Sequence, residues 1–260
     1  MRCRRGTVRS RATGAAIPVR NGSLLKAKEY WIDDRICMRV PTVEEILDFG
    51  ATRYFNLVYT LYATPYELMG QLDAMGIDYE KVPEYDLFCF AFLGMKAEDA
   101  SMVFTNVEPG KYELCPDKEN NRNVLVHAET GDRIAPEDAD RIASFLRRIH
   151  CVEKCRKKAG NSAMKKYLLE KARKKLQSAK ARKDEDFMED MVICLLNTSE
   201  FAARSLADAM AMNIYFFNKS MRQINKKIDY DHICAGIYAG TIDSKKINMQ
   251  KIHWMNIDGR

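Results

Sequence analysis

No apolar run in this chain exceeds nine residues, Leu87 to Met95. That is about half the length that crosses a bilayer as a helix, so no transmembrane helix is expected. The opening Met1 to Ala16 is basic but lacks the apolar stretch of a secretory signal. Its Arg and Ser content loosely matches a transit peptide, yet a disordered basic leader or an over-long start explains it more simply. A glycine-rich phosphate loop is also missing, because Gly236 and Gly240 end a helix instead of opening one. Histidine is scarce: none of the four has a Ser, Cys or Asp partner defined by sequence. With no internal repeat and no catalytic constellation, the expectation is a protein that is not an enzyme and holds no cofactor and no metal.

The cysteines need a separate reading, since eight of them could form a framework. They are scattered, and Cys89 and Cys194 sit in apolar settings where a free thiol packs as a small hydrophobe. Without an export signal they are expected to be reduced, in a cytosol, and the sequons at Asn21, Asn197 and Asn218 carry no meaning. His150-Cys151-x-x-x-Cys155 is the nearest approach to a metal cluster. It lacks a second spaced pair and lies in strongly positive surroundings, so thiols on a helix end are the better reading. Asp78, Glu80, Glu84 and Asp86 crowd one stretch, where acids around Pro83 suit helix starts better than a divalent-metal or acid–base site. Pro116-Asp117 suggests the start of a nuclease core, but no Glu-x-Lys follows.

What the chain does have is segregated charge. Arg147 to Lys183 carries fifteen Lys or Arg against two acids, whereas residues 21–146 carry twelve against twenty-three. The first twenty residues add six Arg and no acid, and 184–260 is nearly balanced. Such segregation speaks to docking more than to chemistry. The basic block could track phosphates, in which case Lys165, Lys166, Arg173, Lys174, Lys175, Lys180, Arg182 and Lys183 would be the contacts. Tyr167 is its sole aromatic within the helix, so base stacking has little to work with. An acidic protein surface accounts for the same charge, and the chain's own acidic front half is one candidate.

Punctuation supplies the secondary structure. Ile36, Met38 and Val40 alternate as in a half-buried strand, with Glu29 to Ile32 as its hairpin partner. Thr42-Val-Glu-Glu45 is a capping box opening a helix that stops at Gly50. Further helices are expected over 52–62, 65–75 (opened by Thr64-Pro65) and 83–93. Strands are expected near 112–115, 124–127 and 133–134, then a helix from Pro136 to His150 and a basic helix over 163–183. Met191 to Leu196 is apolar all round and should be buried. Met210, Ile214, Phe217, Met221 and Ile224 fall at helical spacing, and a last helix over 229–239 closes at Gly240. Ile247, Met249, Ile252 and Trp254 give the tail enough apolar surface to dock.

Three blocks carry a resemblance. They are Val40-Pro-Thr-Val-Glu-Glu-Ile-Leu-Asp-Phe-Gly50 with Met75-Gly-Ile-Asp-Tyr79, Ile214-Tyr-Phe-Phe-Asn218 with Gln223-Ile-Asn-Lys226, and Tyr230 to Trp254 with Gly236-Ile-Tyr-Ala-Gly240. Together they resemble tail-assembly-chaperone-like proteins in the tail modules of phages of Gram-positive bacteria. The resemblance implies a phage structural or morphogenesis protein, a tail or other virion protein as partner, and a place in the host cytoplasm or on the virion. It implies no catalytic residues.

The resulting expectation is a predominantly helical α+β protein with small antiparallel hairpins. It is divided into a disordered basic leader (1–16), a mixed α+β unit (17–150), a basic helical connector (151–183) and a helical unit with a docked tail (184–260). Tyr215 and Phe216, off the core line of the 210–224 stripe, and Trp254 are the candidate partner-binding residues, though each could instead pack inside. No membrane contact is expected. The alternative is sequence-non-specific nucleic-acid binding, weak, through 147–183.

Overall fold

In a computed structural model, residues 22–118, 120, 122–155, 159–181, 187–200 and 205–256 are described. The leader 1–16 lies outside them, as do Arg182 and Lys183 and the side chain of Lys180. Among these residues helix dominates and two small antiparallel sheets accompany it, a predominantly helical α+β fold.

The hairpin comes first. β1 (Glu29–Trp31) pairs antiparallel with β2 (Cys37–Arg39), Tyr30 opposite Met38. Asp33 holds the turn by accepting from the Arg35 and Ile36 N–H groups at 2.8 and 2.9 Å. The alternation puts Ile36, Met38 and Val40 into the core, as period-2 patterning requires. Thr42 and Glu45 form both bonds of the capping box on α1 (Val43–Phe49). Gly50, at φ +96°, then turns the chain into α2 (Ala51–Tyr62), a conformation costly for any residue with a Cβ.

Thr64 and Glu67 also make their reciprocal bonds, but the helix is shorter than the 65–75 expected. Residues 65–68 stay in turns and α3 spans Met69–Ala74. A 3-10 turn at Tyr79–Lys81 leads into α4 (Glu84–Leu93). α5 (Ala97–Ser101) carries no apolar periodicity and was not expected. β3 (Tyr112–Asp117), β4 (Arg122–His127) and β5 (Arg133–Ile134) follow in the order β3-β4-β5, Leu114 facing Leu125. α6 (Pro136–Ile149) buries Ile142, Phe145, Leu146 and Ile149 along one stripe.

α7 (Ser162–Ala181) is the basic helix and α8 (Phe187–Asn197) follows it. The expectation that 191–196 is buried all round is corrected. α8 turns Met188, Val192 and Leu195 inward at i, i+4, i+7, which leaves Ile193 56 % exposed and Cys194 exposed. α9 (Leu206–Ala211) ends before Met212, and α10 (Ile214–Tyr238) is one continuous helix where two were expected. Nothing between Ile224 and Asp229 breaks it. After Gly240 the chain turns into α11 (Met249–Ile252). Met188, Leu195, Ile214 and Phe217 belong to the same buried cluster as Val43, Tyr54, Phe92 and Ile142, so the C-terminal helices share a core with the front half.

Candidate functional site

A groove of about 740 Å³ lies between the N-terminal segment and α10. Its floor is apolar, with Val40, Ala211, Met212, Phe216 and Ile224. Lys26 and Lys28 line it on the N-terminal segment, while Glu200 and Asp208 line it on the helical side. Asn213 builds it. Its side-chain oxygen caps α10 by accepting from the Phe216 N–H at 2.9 Å. Its amide nitrogen donates to the Leu24 and Ala27 carbonyls, each at 2.8 Å. Around it the Val43 N–H reaches Met212 O and the Ile214 N–H reaches Pro41 O, at 2.8 and 2.9 Å. The buried Asn213 amide thus ties the segment before β1 to the start of α10, and the backbone bonds beside it tie the α1 start to the α9–α10 corner. Reading the 210–224 stripe as unbroken concealed it. An Asn directly before a long apolar-periodic helix was the available signal.

The three candidate partner residues are placed differently. Phe216 is 40 % exposed and lines the groove. Tyr215 is half-buried against the core, with the Lys219 ammonium 5.8 Å from its ring centre. Trp254 is half-buried on the returning tail. There the Gln223 side chain, which also lines the groove, donates to the Trp254 carbonyl. The Lys226 ammonium donates to Asn256 O at 2.8 Å, and the His253 ring lies 5.1 Å from that of Tyr230. Phe216 and Gln223, seven positions apart and so on one face of α10, both line the groove, and Gln223 ties the backbone of Trp254 beside it; Tyr215 does not line the groove.

The basic helix is not a free phosphate track. α7 lies on α3, where Leu168, Leu169 and Ala172 pack on Met69, Leu72 and Tyr79. Lys165 bonds Asp78 and Glu80, both at 2.7 Å, which holds Asp78 below the usual carboxylate range and raises the ammonium. Arg173 grips Asp73 with two nitrogens, at 2.6 and 2.9 Å, and lowers that carboxyl too. Lys174 pairs with Glu170 one turn back on its own helix. Of the eight candidate cations, Lys166 and Lys175 are exposed and form no ion pair with described residues. Met164, Tyr167 and Lys171 are exposed beside them.

The Asp78–Asp86 stretch is likewise resolved into structural roles. Asp78 accepts from the Glu80 N–H, and Glu84 pairs with Lys154 at 2.6 Å. Among the described residues no group of three or more His, Cys, Asp and Glu gathers as metal ligands do. His150 and Cys151 instead close α6. The Val152 N–H reaches Arg147 O and the Cys151 N–H reaches Arg148 O, with Cys151 at φ +55°, a Schellman ending. His150 bonds Tyr54 through Nε2 at 3.2 Å, and its Nδ1 is shut off from solvent. Burial pushes its pKa down to about 4. Among the described residues no helix is long and apolar enough to cross a membrane.

Fold and surface thus define a helical α+β protein whose distinctive features are an apolar groove, a docked basic helix and a returning tail. Residues 180–257, from the end of α7 through α11, match the family model of the YomV second domain, a phage-type protein family. The Ile214–Lys226 and Tyr230–Trp254 blocks fall inside that stretch, and the Val40–Tyr79 block falls outside it. No curated protein and no solved structure matches the chain.

Proposed function

We propose that this protein is a non-enzymatic phage structural or morphogenesis protein, a tail-assembly-chaperone-like protein that binds a tail component in the host cytoplasm. The match of residues 180–257 to a phage-type domain carries the reading. The groove along α10 gives it a mechanism. An apolar floor ending in Phe216 would cover apolar surface on the client, and the Lys26/Lys28 and Glu200/Asp208 sides would orient the encounter. Trp254, whose backbone Gln223 holds beside the groove, would add aromatic surface next to it. The test is co-purification of the tagged full chain from infected or lysogen-induced cells. A tail or other virion protein should come down with it, and less so with Phe216→Ala. If none does, the reading fails.

A second reading, weak non-specific nucleic-acid binding, is favoured by one observation: Lys166, Lys171 and Lys175 remain exposed on α7. With Lys165 and Arg173 committed to carboxylates, few phosphates could be neutralised and the salt slope would be shallow.

A further inference from the structure

α7 is seated on an apolar patch of its own. Met69, Leu72 and Tyr79, flanked by Tyr66, Leu168 and Leu169, form a cluster separate from the main core. α3 offers a flat place for it at Gly70, where a Cβ would meet Leu176 Cδ1 at 2.8 Å and Ala172 Cβ at 3.2 Å. Three carboxylates rim that patch: Asp73 on α3, and Asp78 and Glu80 at the 3-10 turn. An apolar floor with an acidic rim selects a helix with small and leucine side chains on one face and basic side chains beside them. α7 has that pattern. It is held by a small cluster and by solvent-exposed ion pairs, the kind of attachment that opens locally while the rest of a domain stays folded.

We propose that the face formed by α3 and the Tyr79–Lys81 turn is a docking site for an amphipathic basic helix of a partner protein. α7 is its tethered occupant, an autoinhibitory strap that a competing helix displaces. The partner helix is defined by its chemistry: Leu or Ala along one face, with Lys or Arg about eight residues apart to meet Asp78/Glu80 and Asp73, as Lys165 and Arg173 do here. Tethering gives α7 a high effective concentration, so a free helix competes well only when the strap is weakened.

The probe is a fluorescent peptide of residues 162–178 added to the full chain, with amide hydrogen exchange read on α7 and α6. In the parent, α7 should exchange at least about tenfold faster than α6, because it opens on its own. The double variant Lys165→Glu/Arg173→Glu loosens the strap and leaves the receptor acids in place. It should bind the peptide at least about tenfold tighter than the parent. Adding Asp73→Asn, Asp78→Asn and Glu80→Gln to that variant should abolish the gain. Exchange of α7 in step with α6, or peptide binding indifferent to the three acids, would overturn the proposal. Protection of α6 reports an intact core in each variant. Where it is lost, exchange of α7 in the parent across a salt series decides: a rise with salt supports the strap, a flat response refutes it.

Discussion

Replacing Asn213 with alanine should cost about 3 kcal/mol of folding stability, and the parts of that figure can be separated. The cap on α10 is worth about 1 kcal/mol. The Leu24 and Ala27 carbonyls would each lose a buried donor, at about 1 kcal/mol apiece. Asn213→Asp distinguishes the two contributions. It keeps an oxygen for the Phe216 N–H but removes both donations and sets a carboxylate against two carbonyl oxygens. If anchoring of the N-terminal segment matters as the geometry says, Asn213→Asp loses about 2 kcal/mol or more despite its good cap. Urea unfolding, with midpoints compared at constant slope, measures both variants. A loss below about 0.5 kcal/mol for the alanine variant, or a neutral aspartate variant, would show that this residue does not hold the groove together.

Three further outcomes follow from the geometry. Burial lowers the folded pKa of His150 to about 4 from an ordinary 6.5, so the unfolded chain takes up its proton first. Stability should fall as pH drops from about 6.5 to about 4, by at most about 3 kcal/mol; the parent-minus-variant difference for His150→Phe isolates this, and a flat difference refutes it. Truncation after Ser244 removes the tail that Gln223 and Lys226 hold, and should lower the melting temperature by several degrees, about 2 kcal/mol; an unchanged melt would mean that the tail contributes nothing to the fold. In a mobility-shift salt series on duplex DNA, binding should be weak and vanish near physiological salt; a sub-micromolar complex surviving there, and weakened by Lys174→Glu/Lys175→Glu, would make nucleic acid the primary partner.

Much of the fold was legible because local chemistry decides it. The Thr42/Glu45 capping box, the Gly50 turn, the alternation through Ile36, Met38 and Val40, and the α6 stripe each depend on residues within a turn or two of one another. The C-terminal blocks were likewise legible as a stretch related to phage proteins. Where the expectations missed, the deciding partner lay far along the chain. Val192 and Leu195 turn inward and Ile193 outward because a distant core covers only one face of α8, which an all-apolar run cannot announce. Asn213 looks from its neighbours like an ordinary cap, and its other two bonds reach residues nearly two hundred positions earlier.

The sequence by itself determined the segregation of charge, the helical content and the places where elements start and stop, since these follow from composition, periodicity and short-range capping. Only the tertiary structure decided what the charge is for. It set Lys165 and Arg173 against Asp78, Glu80 and Asp73, 85 to 100 residues away. Attraction between opposite charges falls within reach only after the chain has folded the acidic α3 region beneath the basic helix, and no spacing along the sequence encodes that approach.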